Sequence, residues 1–246
     1  MRISIRQARV VALLSASLAA PLGAAERPAV LPAVLPATMA QRLIACTSCH
    51  ARDGAAIATP DAYFPRIAGK PAGYLYNQLQ NFRDGRRQYP MMTYMVDRLP
   101  DSYLLEIANY FANEHLPPPP PQPSSASAAV LERGRVLVMQ GDKALKLPAC
   151  VACHGQQLTG VAPAIPGLLG LPRDYINAQF GAWRNKVRRA HAPDCMGDIA
   201  NRLSLSDVAA VSGWLGLQPV PPDARPAVAI ARPLPLACGS APEAAP

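Results

Sequence analysis

The stretches Cys46-Thr47-Ser48-Cys49-His50 and Cys150-Val151-Ala152-Cys153-His154 decide the fold of this 246-residue chain. Each is a Cys-x-x-Cys-His motif, the pattern typical of covalent c-type haem attachment. The two thiols of such a motif form thioethers with the porphyrin, and the histidine that follows is placed to bind the iron. The chain is therefore predicted to carry two covalently bound haem c groups, with His50 and His154 as iron ligands.

Two other uses of paired cysteines fit this pattern less well. A zinc ribbon places its second pair roughly 15–20 residues after the first, whereas Cys46 and Cys150 are 104 positions apart. A thioredoxin-like redox pair needs neither the histidine nor the duplication. Haem attachment is the interpretation that accounts for both features.

Two methionines follow the histidines at the same distance, which indicates a duplicated one-haem unit. From His50 to Met92 is 42 positions, and so is the distance from His154 to Met196. A thioether sulfur raises the reduction potential of haem iron, as suits an electron carrier. Met92 and Met196 are therefore the predicted second iron ligands.

Other side chains could compete for these positions. Met91 and Met95 flank Met92, but projecting the second copy onto the first selects Met92. His115 and His191 could replace a methionine as ligands, although both are more simply surface or helix-end residues. With two protein ligands on each iron, no coordination position stays open for a substrate. The sequence thus predicts outer-sphere electron transfer and no catalytic residues.

A second set of correspondences marks a helix between each histidine and its methionine. Tyr74 and Gln78 recur 101 positions later as Tyr175 and Gln179, and an aromatic residue follows four positions after each glutamine. Spacing by four places these side chains on one helix face. We expect this face to wall the haem pocket, because a small domain needs the porphyrin to complete its apolar core. The expected fold class is all-α.

The chain divides into five segments by composition. Residues 1–25 combine three arginines, an apolar stretch and small residues, as in a secretory signal peptide, so the mature protein is expected in the periplasm. The predicted haem domains are residues 38–116 and 129–219. Residues 117–128 begin with five prolines and are interpreted as a stiff linker. Residues 220–246, rich in Pro and Ala, are expected to run over the surface as a tail.

The charge is basic but unevenly spread. Without residues 1–25 the formal charge falls from +8 to +5. Arg184, Lys186, Arg188 and Arg189 form the densest basic cluster. Such a cluster usually marks a solvated helix face, and its sharper interpretation is a docking patch for an acidic partner or for anionic lipid at a membrane surface. Nucleic acid is not an expected partner of an exported haem protein.

These motifs resemble the tandem two-haem class I cytochromes c of the cytochrome c4 family. The resemblance covers residues 38–218 and is carried by Gly69-Lys70-Pro71-Ala72-Gly73-Tyr74, by Gly170-Leu171-Pro172-Arg173-Asp174-Tyr175 and by Pro148 to Gly155. It implies two all-α cytochrome domains related by a pseudo-twofold, with haem propionates facing one another. It also implies a carrier of single electrons between respiratory partners such as a cytochrome bc complex and a terminal oxidase.

Two cysteines depart from the family pattern. Cys195 directly precedes Met196, and Cys238 lies in the tail. In an oxidising compartment such cysteines most often pair, so a disulfide is favoured. The alternative is a Cys195 thiolate bound to the second iron, which would support a thiosulfate-oxidising enzyme or a two-haem peroxidase. A cytochrome subunit of a periplasmic dehydrogenase is a further alternative.

Overall fold

The computed structural model describes residues 38–50, 64–229 and 232–241. The proposed signal peptide, residues 1–25, lies outside them. The described part of the first repeat contains five helices: α1 (Met39–Arg42), α2 (Ile44–His50), α3 (Ala72–Arg83), α4 (Pro90–Val96) and α5 (Asp101–Ala112). The second contains α6 (Ala128–Met139), α7 (Val151–His154), α8 (Arg173–Arg184), α9 (Cys195–Arg202) and α10 (Leu205–Leu217). Strands β1 (Gly160–Val161) and β2 (Ile165–Pro166) form a short antiparallel pair. The all-α prediction is confirmed.

The first core forms where α5 packs against α3. Pro100 precedes α5 and Asp101 occupies its first turn, where a carboxylate interacts favourably with the exposed N–H groups. Four apolar residues of α5 are spaced as one helix face and are buried: Leu104, Ile107, Ala108 and Phe111. Truncating Phe111, which is 3% exposed, would cost about 3–5 kcal/mol.

The second core forms around the crossing of α6 and α10. Gly134 makes this crossing close, because a Cβ atom at this position would overlap the carbonyl oxygen of Ala210. Ser127 and Ser204 begin the two helices, and the side chain of each accepts a hydrogen bond from a backbone N–H in the first turn. Leu137 and Val211 are among the buried residues of this core.

Equivalent segments of the two repeats pair with each other after α3 and α8. The N–H of Gln88 donates to the carbonyl of Val187 at 2.7 Å, and the N–H of Arg189 donates to the carbonyl of Arg86 at 2.6 Å. Each bond is the other with the two repeats exchanged, because Gln88 corresponds to Arg189 and Arg86 to Val187 at an offset of 101 residues. This reciprocity is the local sign of the pseudo-twofold relation.

The proline-rich linker lies against the second repeat and does not hold the repeats apart. The N–H of Gln122 donates to the carbonyl of Gly216 at 2.7 Å, and its side-chain oxygen accepts from the N–H of Arg173 at 3.1 Å. At the other end, Arg66 donates to the carbonyls of Leu116 and Pro117. The polyproline interpretation predicted a local conformation, but these contacts depend on distant parts of the chain.

The tail is attached to the second repeat at two points, of which the sequence indicated only the pairing of Cys195 with Cys238. Ala227 exchanges hydrogen bonds with Gly160 and Ala162, at 3.0 and 2.7 Å. Further on, a disulfide joins Cys238 to Cys195, and Ala241 is 8% exposed. The end of the described tail is therefore part of the apolar interior.

None of the helices in the described ranges has the length and apolar character needed to cross a membrane.

Candidate functional site

Each repeat encloses a largely apolar cavity with its Cys-x-x-Cys-His motif in the wall. In the first repeat, α2 ends at His50, and both Cys46 and His50 line the cavity. The Nδ1 atom of His50 lies 2.9 Å from the carbonyl oxygen of Pro65. Burial lowers the pKa of His50, so the imidazole is held neutral, which is the form that binds a metal.

The second cavity repeats this arrangement. The Nδ1 atom of His154 lies 2.7 Å from the carbonyl oxygen of Pro166, the counterpart of Pro65. His154 is 7% exposed, and burial lowers its pKa. Because a carbonyl only accepts hydrogen bonds, Nδ1 carries the proton and Nε2 holds the free lone pair. Each histidine thus offers one ring nitrogen to a metal.

The thiols of the second motif are protonated in this environment. Cys150 and Cys153 both line the cavity. Burial, with a contribution from Cys153, raises the pKa of Cys150 to about 12, and burial raises the pKa of Cys153. In the first motif, burial raises the pKa of Cys46. Neutral sulfur atoms of this kind suit an apolar wall.

The predicted methionine ligands lie in the walls of the same cavities. Met92, in α4, lines the first cavity, and Met196, in α9, lines the second. Met91 is 58% exposed, and Met95 packs on the first core. Among the described residues that line the two cavities, neither His115 nor His191 is found.

The sulfur of Cys195 is not a free thiolate in the structure. Its disulfide with Cys238 spans 43 positions of sequence. Cys195, Met196 and Cys238 all line the second cavity, together with Leu234 and Leu236 of the tail. The tail thus supplies part of the apolar wall near Met196.

The two cavities are neighbours. The residues that line both come from equivalent positions of α3 and α8 and from the segments beside them: Lys70, Tyr74, Gln78, Tyr175, Gln179 and Arg188. The predicted helix face of each repeat therefore lines that repeat's own cavity. The tyrosine and the glutamine of each face also line the cavity of the other repeat.

The arginines at this boundary were not evident from the sequence. The basic cluster that contains Arg188 predicts a solvated helix face, but Arg188 is only 6% exposed. Arg87 lies 101 positions earlier and lines the first cavity. Arg87 and Arg188 stand 13 positions after Tyr74 and Tyr175, so the same repeat offset of 101 would have paired the two arginines.

The donor set of the two cavities fits a haem. In the described ranges, no group of three or more His, Cys, Asp and Glu side chains converges. The second cavity offers two cysteines, an imidazole nitrogen and a methionine thioether within a largely apolar wall. The first offers Cys46, His50 and Met92, while Cys49 lies in α2 but is not among the residues that line the cavity. These are the groups that attach and ligate a c-type haem.

Two helical repeats, each with this donor set around an apolar cavity, define a tandem class I cytochrome c. The chain is 36% identical over 178 residues to the thiosulfate dehydrogenase electron acceptor of Thiomonas intermedia, covering 72% of this chain and 80% of that protein. It is 32% identical over 172 residues to cytochrome c4 of Pseudomonas aeruginosa, covering 69% and 82%. The chain belongs to the cytochrome c4 family, and it is a two-haem electron-transfer cytochrome with two covalently bound haem c groups.

Solved structures agree with this assignment. Reduced cytochrome c4 from Pseudomonas stutzeri superposes with a TM-score of 0.61 at 28% identity, over 72% of this chain and 95% of that one. The thiosulfate dehydrogenase TsdBA from Marichromatium purpuratum gives a TM-score of 0.62 at 31% identity, over 71% of this chain and 36% of that one. No protein-family model matches the chain.

Proposed function

We propose that this cytochrome is a periplasmic carrier that takes single electrons from a thiosulfate-oxidising dehydrogenase and passes them towards a terminal oxidase. Relatives described as thiosulfate dehydrogenase electron acceptors, 36% and 35% identical to this chain, support the donor. The signal-like residues 1–25 support export. Residues 38–116 and 129–219 are the proposed haem domains.

The proposed haem attachment follows the motifs. Cys46 and Cys49 form the thioethers in the first domain, as Cys150 and Cys153 do in the second. His50 and Met92 ligate the first iron, and His154 and Met196 ligate the second. The haem iron supplies one-electron chemistry when it is bound, and the chain supplies the axial ligands and a pocket that excludes water.

The observation that carries the proposal is the wall that the two cavities share. Six residues line both cavities, so haems held in the two cavities would border the same six side chains. Electron tunnelling weakens steeply with distance, and this arrangement therefore favours transfer from one haem to the other within the chain. An electron that enters at one haem can leave from the other.

A carrier rather than an enzyme follows from the ligand set. With a histidine and a methionine on each iron, neither metal has an open position for thiosulfate or peroxide. A Cys195 thiolate bound to the second iron would support an enzyme, but the sulfur of Cys195 is bonded to Cys238. Catalysis of thiosulfate oxidation is therefore assigned to the partner.

Rapid mixing of the oxidised holoprotein with a thiosulfate dehydrogenase and thiosulfate tests the function. We expect both haems to become reduced, as followed by their visible absorption, only when the dehydrogenase is present. Thiosulfate alone and peroxide alone serve as controls. Turnover of either compound without a partner would overturn the carrier assignment, and failure of the dehydrogenase to reduce the protein would overturn the proposed donor.

A further inference from the structure

Two arginines from equivalent positions meet at the boundary between the cavities and share the same acceptors. Arg87 donates to Gln78 Oε1 at 3.0 Å and to Gln179 Oε1 at 2.9 Å. Arg188 donates to the same two oxygens, at 3.1 and 2.7 Å. Each arginine also reaches the tyrosine of the other repeat: Arg87 to Tyr175 at 3.0 Å, Arg188 to Tyr74 at 3.5 Å.

All these contacts are with neutral groups. The guanidinium of Arg188 stacks 3.9 Å from the ring centroid of Trp183, and that of Arg87 stacks 4.5 Å from that of Phe82. Among the described residues, neither arginine forms an ion pair with a carboxylate. Burial and the charge of Arg87 together lower the pKa of Arg188.

A third cation lies at the same boundary. The Nζ atom of Lys70 donates to the carbonyl of Gly167 at 3.0 Å. Burial lowers the pKa of Lys70 to about 8, and the side chain lines both cavities. A buried or half-buried charge is unfavourable unless an opposite charge compensates it. A group of cations without carboxylates therefore indicates that anions occupy the space beside them.

The anions that belong in these cavities are the carboxylates of the haems. We propose that Arg87 and Arg188 form one anion-binding site, shared by both haems, that receives haem carboxylates from both cavities and raises both reduction potentials. The proposal rests on the haem assignment made above. A nearby positive charge disfavours the ferric state, which carries one more positive charge than the ferrous state. Gln78 and Gln179 each accept hydrogen bonds from both arginines. Loss of one arginine therefore also removes hydrogen bonds from the two glutamines that hold the other arginine.

Optical redox titration of the holoprotein tests the shared site through the midpoint potential of each haem. We expect Arg188→Gln and Arg87→Gln each to lower the equilibrium constant for reduction about tenfold at both haems, equivalent to about 59 mV per one-electron couple. Arg188→Lys keeps the charge and should stay within about threefold of the unsubstituted protein.

Arg189→Gln is the matched control, because it removes the same charge one residue away on an exposed side chain. A shift at only one haem, or a shift no larger than that of Arg189→Gln, would overturn the proposal. If Arg188→Gln does not fold, Arg87→Gln carries the test, since its side chain is only half-buried. Haem content is measured in parallel. Unsubstituted protein without haem would refute the haem assignment itself, whereas unchanged potentials in haem-loaded variants would refute only the shared site.

Discussion

At the residue scale, the two histidines are oriented in the same way by different parts of the chain. Pro65 and Pro166 each present a carbonyl to the Nδ1 atom of the histidine, at 2.9 and 2.7 Å. A hydrogen bond of this kind fixes the ring orientation and makes the opposite nitrogen a better ligand. Proline suits the acceptor position because it has no N–H of its own and limits the local backbone.

The methionine assignment predicts the outcome of ligand exchange. Met92→His and Met196→His should each lower the potential of one haem, because axial ligands tune haem potentials over about 0.8 V and methionine favours the reduced state. Each variant should also lose half of the near-infrared methionine-to-iron absorption. Met91→His is the matched control, since Met91 is 58% exposed. The assignment fails for the first haem if Met91→His removes the absorption and Met92→His does not.

The disulfide predicts a change in stability without a change in ligation. Cys238→Ser and Cys195→Ser should each lower the free energy of unfolding by about 3–4 kcal/mol, because the bridge closes a loop across 43 positions. The measurement is denaturant unfolding of the holoprotein, and the double variant should lose no more than either single one. A change in the absorption of the second haem in Cys195→Ser alone would instead indicate a cysteine ligand.

Local spacing in the sequence was sufficient to predict residues that line the cavities, but not residues whose position depends on contact between the repeats. Cys46, His50 and Met92 are separated by fixed distances that recur in the second copy. Arg188 stands among charged neighbours and has no local sign of burial. It is buried because the segment after α8 pairs with the segment after α3, through hydrogen bonds between residues about 100 positions apart.

At the element scale, α3 and α8 end in the same turn but with different residues. Gly85 has a φ of 72°, and its counterpart 101 positions later is Lys186, with a φ of 61°. This left-handed conformation costs a residue with a side chain roughly 1–2 kcal/mol, whereas glycine adopts it readily. The second repeat therefore keeps the turn at an energetic cost that the first repeat avoids.

Exchanging these residues should change stability in opposite directions. Lys186→Gly should raise the free energy of unfolding by up to about 1 kcal/mol, because it relieves the strained φ at an exposed position. Gly85→Ala should lower it by roughly 1–2 kcal/mol. A Cβ at Gly85 meets nothing within 4 Å, so the backbone alone decides the result. Thermal unfolding of the holoprotein measures both changes. Changes of the same sign in the free energy of unfolding would contradict this account.

The linker shows where reasoning by element reaches its limit. Five consecutive prolines correctly indicate a segment without helix, and residues 117–127 have none. Composition does not reveal which surface the segment covers. Gln122 decides this through its bonds to Gly216 and Arg173, and a lone glutamine after a proline run carries no signal of such a role. The hydrogen bonds of Ala227 with Gly160 and Ala162 escaped the sequence for the same reason.

At the scale of the whole molecule, the repeats have separate cores but adjacent cavities. The first core gathers residues such as Leu104 and Phe111, and the second gathers residues such as Leu137 and Val211. Each core surrounds a cavity whose walls are apolar, so each half depends on its own haem to fill it.

Removing one attachment site should therefore unfold one half. The double substitution Cys150→Ala and Cys153→Ala should halve the haem content and leave the second repeat sensitive to protease. The first repeat should keep its haem absorption. Limited proteolysis with mass spectrometry of the surviving fragment measures the outcome, and the corresponding change at Cys46 and Cys49 is the reciprocal control. A second repeat that resists protease without haem would contradict the prediction.

The reciprocal hydrogen bonds between Gln88 and Val187 and between Arg189 and Arg86 have the geometry of an isologous dimer interface enclosed in one polypeptide. The tether keeps the two faces at a high effective concentration, so their contact needs less affinity than an association of free subunits. A twofold arrangement is complete with two repeats. The face of each repeat that carries these hydrogen bonds is already covered by the other repeat of the same chain.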